Sequence, residues 1–307
     1  MKYLLTTISL LMIVCLATAQ QNAGKVEVRT VLKEGDVYEL SYATFTKSIT
    51  QAFGKNNDEL LDLDFVFKVE VKEADTRGRN LLNISLVRLK LVLQDRTALY
   101  GFDSEEPNAI IERSSDSTEI HVNTALRNAF GQFMDQTFHG RFLENASIGN
   151  ITGVDSIWQK IFITSTEKTN YQKEVENIAT GLLNNLFFSE CMNRVLLPPT
   201  QEKVGKNDSW MDVDLVDNHV GLHMQREYTV KEIFKDKFQL VSETNFVNPL
   251  PANLHLSYKG KYLVDKASNT VLAGSLLKQI KGQVKNKEYS GPIDATENIT
   301  FSMIKMN

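Results

Sequence analysis

Between residues 63 and 71 the chain alternates without a fault. Leu63, Phe65, Phe67, Val69 and Val71 fall on one side, Asp64, Val66, Lys68 and Glu70 on the other. A period of two belongs to a strand with one face buried, because a helix would scatter those five apolar residues around its circumference. Turn chemistry follows at 74–80, where Asp75 and Gly78 stand, and then a second run over 81–94 keeps the period but changes parity. Its apolar set shifts from Leu82, Ile84 and Leu86 to Val87, Leu89, Leu91 and Leu93. One extra residue in a strand has that effect, so a β-bulge is expected near Leu86 in an antiparallel hairpin.

Two segments follow a different period. Val122, Ala125, Leu126, Ala129, Phe130, Phe133 and Met134 recur at helical spacing, which predicts an amphipathic helix beginning near Asn123 or Thr124. Val175, Ile178, Leu182 and Leu186 predict a second, ended or broken by Pro198 and Pro199.

Short patterns recur in the same order along the chain. Val31-Leu32-Lys33-Glu34-Gly35-Asp36-Val37-Tyr38 is echoed by Lys203-Val204-Gly205-Lys206-Asn207-Asp208-Ser209-Trp210. Val71-Lys72-Glu73 is echoed by Val230-Lys231-Glu232. Gly140-Arg141-Phe142-Leu143, with Ile157-Trp158-Gln159-Lys160-Ile161 after it, is echoed by Gly260-Lys261-Tyr262-Leu263 with Leu276-Leu277-Lys278-Gln279-Ile280. The order points to a duplication. The expected fold is α+β, mainly antiparallel β-sheet in two similar halves with two main amphipathic helices on its apolar face. The expected segments are a β-rich first half with one helix (26–165), a helical connector (166–199) and a β-rich second half (200–307).

Residues 1–19 read as a Sec-type signal peptide. Lys2 is the basic residue, 4–16 are almost wholly apolar, and Ala17-Thr18-Ala19 fits the small-residue cleavage pattern, leaving Gln20 first. The run is short for a bilayer span and no basic cluster follows it, so no integral membrane span is expected after cleavage. Cys15 lies inside the apolar core behind Val14, which argues against a lipoprotein. The expected location is periplasmic or extracellular.

The formal net charge is −4, without a basic stripe, which excludes nucleic acid as an expected partner. Past the signal segment Cys191 is the remaining cysteine, so no internal disulfide can form, and its apolar neighbours predict a buried small hydrophobe. The early K-x-G-D-x-Y opener, the F-x-V-x-V strand, the turn after Gly140, and above all Leu197-Pro198-Pro199 through Val204-Gly205 to Asp208-Ser209-Trp210 resemble a domain-of-unknown-function family, number 6263, of exported Bacteroidota proteins. Lys206 and Asn207 interrupt the compact V-G-D-S-W that the resemblance leads one to expect. It implies a bacterial cell envelope and no assigned activity.

The chemistry-bearing residues form no motif. His219 and His223 have a chelating spacing on a helix, but their segment alternates as a strand, which sets them about 13 Å apart. Asp62 with Asp64, and Asp212 with Asp214, are strand pairs about 6.5 Å apart, read as solvated faces rather than calcium or glycosidase carboxylates. Ser209 and Ser275 lack a nucleophile elbow. The sequons at Asn83, Asn145, Asn150, Asn207 and Asn298 are expected unmodified in a bacterium. No catalytic, cofactor-binding or metal-ligating residue can be named, and no cofactor. The expected role is non-catalytic binding of a lipid or other apolar or amphiphilic ligand, or of an envelope protein. The alternatives are an envelope hydrolase with dispersed catalytic residues and a structural module of an envelope complex.

Overall fold

A computed structural model describes residues 24–52, 55–74, 80–107, 117–134, 136–143, 147–149, 151–163, 169–217, 222–246, 253–285 and 290–306. The proposed signal peptide, the turn residues Asp75 and Gly78, and the sequons at Asn145 and Asn150 lie outside them.

The strands are β1 (Val37–Ala52), β2 (Lys55–Ala74), β3 (Asn80–Gln94), β4 (Leu99–Asp103), β5 (Thr137–Phe142), β6 (Ser209–Asp217), β7 (Leu222–Ile233), β8 (Lys237–Phe246), β9 (Leu254–Asp265), β10 (Val271–Lys285) and β11 (Ser290–Lys305). They form one antiparallel sheet in the order β4-β3-β2-β1-β11-β10-β9-β8-β7-β6, with β5 also on β3. The first and last strands therefore meet in the middle, from Tyr38 opposite Lys305 to Thr50 opposite Ile293. Each other neighbour pair on the path is consecutive in sequence.

The alternation that opened the sequence reading is realised in β2, where all five apolar residues are at most 2% exposed. The expected bulge is present. Val66 pairs with Arg88 but Phe67 with Leu86, so Val87 is the extra residue. It points out, 58% exposed, while Leu86 and Leu89 on either side stay buried. Without the bulge the two ends of β3 would turn their leucines to opposite faces.

One row, buried except at the half-buried Gly274, crosses eight strands: Leu89, Phe65, Tyr42, Phe301, Gly274, Tyr262, Leu240 and Val230 stand opposite one another from β3 to β7. Gly274 is required there, since a Cβ would overlap the Phe301 ring.

Four helices occur among the described residues: α1 (Ser117–Met134), α2 (Val154–Phe162), α3 (Asn170–Leu182) and α4 (Asn185–Val195). α1 starts before its expected beginning and buries Leu126, Phe130 and Phe133 completely. The single second helix is corrected to two. Asn184, in extended backbone, breaks it and accepts a hydrogen bond from the Phe187 N–H at 2.9 Å, which leaves Leu186 55% exposed, off the apolar stripe. α2 is a further correction. Residues 157–161, expected to match 276–280, are helical, whereas 276–280 lie in β10. Trp158 explains the difference: it stacks on Phe133 at 4.3 Å, and its indole N–H donates to the Leu183 carbonyl at 2.6 Å.

The two echoed openers form the same turn. Gly35, at φ 83°, donates its N–H to the Val71 carbonyl; Asp36 donates to Lys33; Val71 donates to Asp36. Asn207, at φ 69°, donates to Val230; Asp208 donates to Gly205; Val230 donates to Asp208. β5 pairs with β3 as β9 pairs with β8, but Gly140 faces Leu82 while Gly260 faces Ser242. If Val71 is matched with Val230, Leu82 matches Leu240, whose partner is Tyr262, so the third echo falls two residues out of register.

Candidate functional site

The helix-bearing face of the sheet carries two aromatic groups. In the first, α4 sets Phe188 against Phe65, Phe67 and Phe138 and Phe187 against Tyr42, and α1 sets Phe130 against Phe102. The second is a ladder of strand residues: Trp210 stacks on Tyr228 at 5.3 Å, Tyr228 meets Tyr262 at 5.7 Å, and Tyr262 meets Phe301 at 5.7 Å. Trp210 is anchored through its indole N–H, which donates to the Pro198 carbonyl at 3.2 Å. Gly260 belongs to this floor, since a Cβ would strike the Ser242 and Tyr262 hydroxyls.

One step along the strands the same face becomes polar. Asp212 stands opposite Arg226 and Arg226 opposite Thr244. Tyr258 stands opposite Lys278, and Lys278 opposite Glu297. The Lys278 ammonium lies 5.1 Å from the Tyr258 ring centroid and 3.9 Å from Glu297 Oε2, while Glu297 Oε1 accepts from the Thr44 hydroxyl at 3.2 Å. The row carries an acid beside a base at each end, Asp212 with Arg226 and Glu297 with Lys278.

Two of its polar atoms are unsatisfied. The Arg226 Nε and the Thr244 hydroxyl are buried and lack a hydrogen-bond partner among the described residues, although they sit on directly opposed residues. The guanidinium reaches the Tyr228 hydroxyl from Nη1 at 3.3 Å. Burial works against its charge, but Tyr228, Tyr262 and Asp212 more than compensate and raise its pKa. Burial likewise raises the Tyr228 pKa, against the lowering influence of Arg226. A half-buried guanidinium with a buried, open N–H beside a buried hydroxyl is a built place for an acceptor group, since orphaned donors cost about 1–3 kcal/mol each.

The residues singled out in the sequence lie elsewhere or do other work. His219 is outside the described residues, and His223 is in β7 opposite Val216. Asp64 makes a 3.5 Å ion pair with Arg88 across the β2–β3 pair. Asp212 stands opposite Arg226, and the β6–β7 register shifts between Asp212 and Leu215; the side chain of Asp214 lies outside the described residues. The Ser209 hydroxyl shares a 2.9 Å hydrogen bond with Thr229, and Ser275 is exposed opposite Lys261 and Thr300. Asn83 holds the His139 ring at 3.0 Å, and Asn207 is the turn residue at positive φ. Cys191 is fully buried in α4, and desolvation pushes its thiol pKa well up, as an inert packing residue requires. Among the described residues no three His, Cys, Asp or Glu cluster at metal-binding distance, and no helix is long and apolar enough to cross a membrane. Sequence reasoning missed Arg226 and Thr244. Their parity within alternating strands was visible, but their meeting depends on the β7–β8 register.

A family model, described as one of unknown function, matches residues 101–271. No curated protein matches. Among solved structures, an outer membrane channel from Pseudomonas putida F1 is 7% identical with a TM-score of 0.27, the overlap covering 90% of this chain and 97% of that one. DynF from the dynemicin biosynthesis pathway of Micromonospora chersina is 7% identical at 0.19, covering 92% and 85%. A DUF1329 family protein from Desulfovibrio piger is 11% identical at 0.15, covering 87% and 85%. At this degree of overlap none of them lends the chain a role.

Proposed function

The chain belongs to DUF6263, a family of unknown function, and on that premise we propose, from its own geometry, that it is a non-catalytic binder of an apolar or amphiphilic ligand. The ligand lies on the helix-bearing face of β6–β10. The observation that carries this is the opposed pair of buried, unsatisfied groups, Arg226 Nε and the Thr244 hydroxyl, at the edge of the Trp210, Tyr228 and Tyr262 floor. An apolar body covers the rings and an acceptor on the ligand takes the two donors, which are the two features an amphiphile supplies.

The same proposal has residues 1–19 exporting the protein to the envelope, and 26–165 and 200–307 as two similar halves joined by 166–199. The matched turns at Gly35 and Asn207 support the second statement.

Native mass spectrometry of the protein purified from its own envelope tests the binding role. A mass increment that organic extraction removes is expected, and it should be lost on Arg226→Gln. A bare polypeptide mass in every preparation would overturn the proposal.

A further inference from the structure

Residues 24–32 form an extended segment with its own alternation. Val26, Val28, Thr30 and Leu32 are buried, while Lys25, Glu27, Arg29 and Val31 are turned outward. The segment is fastened on both sides. Val26 and Val204 exchange backbone hydrogen bonds of 2.8 Å, the Thr30 hydroxyl donates to the Asn269 carbonyl at 3.1 Å, and the Asn269 side-chain amide donates to the Arg29 carbonyl at 3.1 Å.

Beside these fastenings lies an open cleft of about 430 Å³, lined by Lys25, Arg29, Lys203 and Lys266 together with the carboxylate of Glu27. Four cations facing one acid is a local excess opposite in sign to the chain's net −4. Lys266 donates to the Phe234 carbonyl. Asn269 also lines the cleft. It is 8% exposed, held at φ 56°, and its Oδ1 is buried without a partner among the described residues. The walls therefore offer positive donors, and behind them Asn269 keeps a buried, unused acceptor.

An anion alone satisfies the walls and leaves Asn269 unpaired; an anion that also carries a hydroxyl satisfies both. We propose that this cleft binds a phosphate bearing a neighbouring hydroxyl. Free glycerol phosphates and phosphatidylglycerol headgroups share that chemistry. The site is separate from the Asp212, Arg226 and Thr244 row and does not depend on the amphiphile reading.

Titration calorimetry of the mature chain with glycerol 3-phosphate forms one arm, and co-sedimentation with phosphatidylcholine vesicles with and without phosphatidylglycerol forms the other. Saturable binding is expected in at least one, weakening as salt rises. The Arg29→Gln/Lys203→Gln pair should weaken it at least about tenfold, and Glu27→Gln should tighten it by about threefold, because one attracts and the other repels the anion. Both variants change exposed side chains, so the unfolding midpoint should hold and a loss of binding is not a loss of fold. Binding only of glycerol 3-phosphate identifies a soluble ligand, and binding only of phosphatidylglycerol vesicles identifies a headgroup; either upholds the cleft. Silence in both arms, or binding indifferent to both variants, overturns it.

Discussion

Gly35 and Asn207 hold one position in two turns: each has a positive φ, and each donates its N–H to the valine that closes the second strand of its hairpin, Val71 or Val230. The left-handed region is open to glycine and tolerated by asparagine, so two different residues solve the same backbone problem.

Gly35→Asn should be tolerated within about 0.5 kcal/mol, while Gly35→Val, with a Cβ-branched residue in the same region, should cost about 1–2 kcal/mol. A Cβ at Gly35 meets nothing within 4 Å, so any cost comes from backbone strain alone. Urea denaturation of the two variants decides it; equal destabilisation would mean that the turns differ in what they require.

Asp36 ties this turn to the last strand through a 2.7 Å ion pair with Lys305 and accepts from the Tyr38 hydroxyl at 3.0 Å. Burial tends to raise its pKa, but Lys305 and Tyr38 outweigh that and hold it below the ordinary 3.8. A carboxyl depressed in the folded state contributes stability above its unfolded value and loses it as pH falls through the folded one. Wild type should exceed Asp36→Asn by up to about 1 kcal/mol at pH 7. That gap should shrink as the pH drops below about 4. Denaturation curves of both proteins at neutral and acid pH measure it, and a gap independent of pH would refute the assignment.

Asn123 is fully buried in α1, yet it serves β4: its Oδ1 accepts the Gly101 N–H at 2.8 Å and its amide donates to the Leu99 carbonyl at 3.1 Å. The side chain takes the place of a missing strand neighbour at the sheet edge. Asn123→Ala should lose about 1–3 kcal/mol, since both backbone groups are left unpaired. Hydrogen exchange should localise the damage, with the Gly101 amide losing protection before those of β1.

Thr244→Val should stabilise the ligand-free protein by about 1 kcal/mol, because a buried hydroxyl without a partner is replaced by a methyl of similar size. The same variant should bind less of the proposed amphiphile. A destabilised variant with unchanged ligand content would show that the hydroxyl is satisfied in solution and has no part in binding.

Much of the local architecture was legible because it obeys short-range rules. The alternation of β2, the bulge at Val87, the buried stripe of α1 and the burial of Cys191 each follow from periodicity or from apolar neighbours within a few residues. The break before α4 was carried by Asn184, a capping residue inside an apparently continuous stripe. Residues 157–161 and 276–280 look alike in sequence and differ in structure because Trp158 finds Phe133 and the Leu183 carbonyl, partners distant along the chain. The pairing of β1 with β11 was out of reach for the same reason: a sequence pattern says which face is buried but not which edge will be covered. The opposition of Arg226 to Thr244, and the gathering of Lys25, Arg29, Lys203 and Lys266 at one cleft, are likewise products of register and of distant segments brought together. What the sequence by itself determined is which residues leave water and with what period; which polar groups are left facing one another was decided by the tertiary structure, because that depends on contacts no local rule contains.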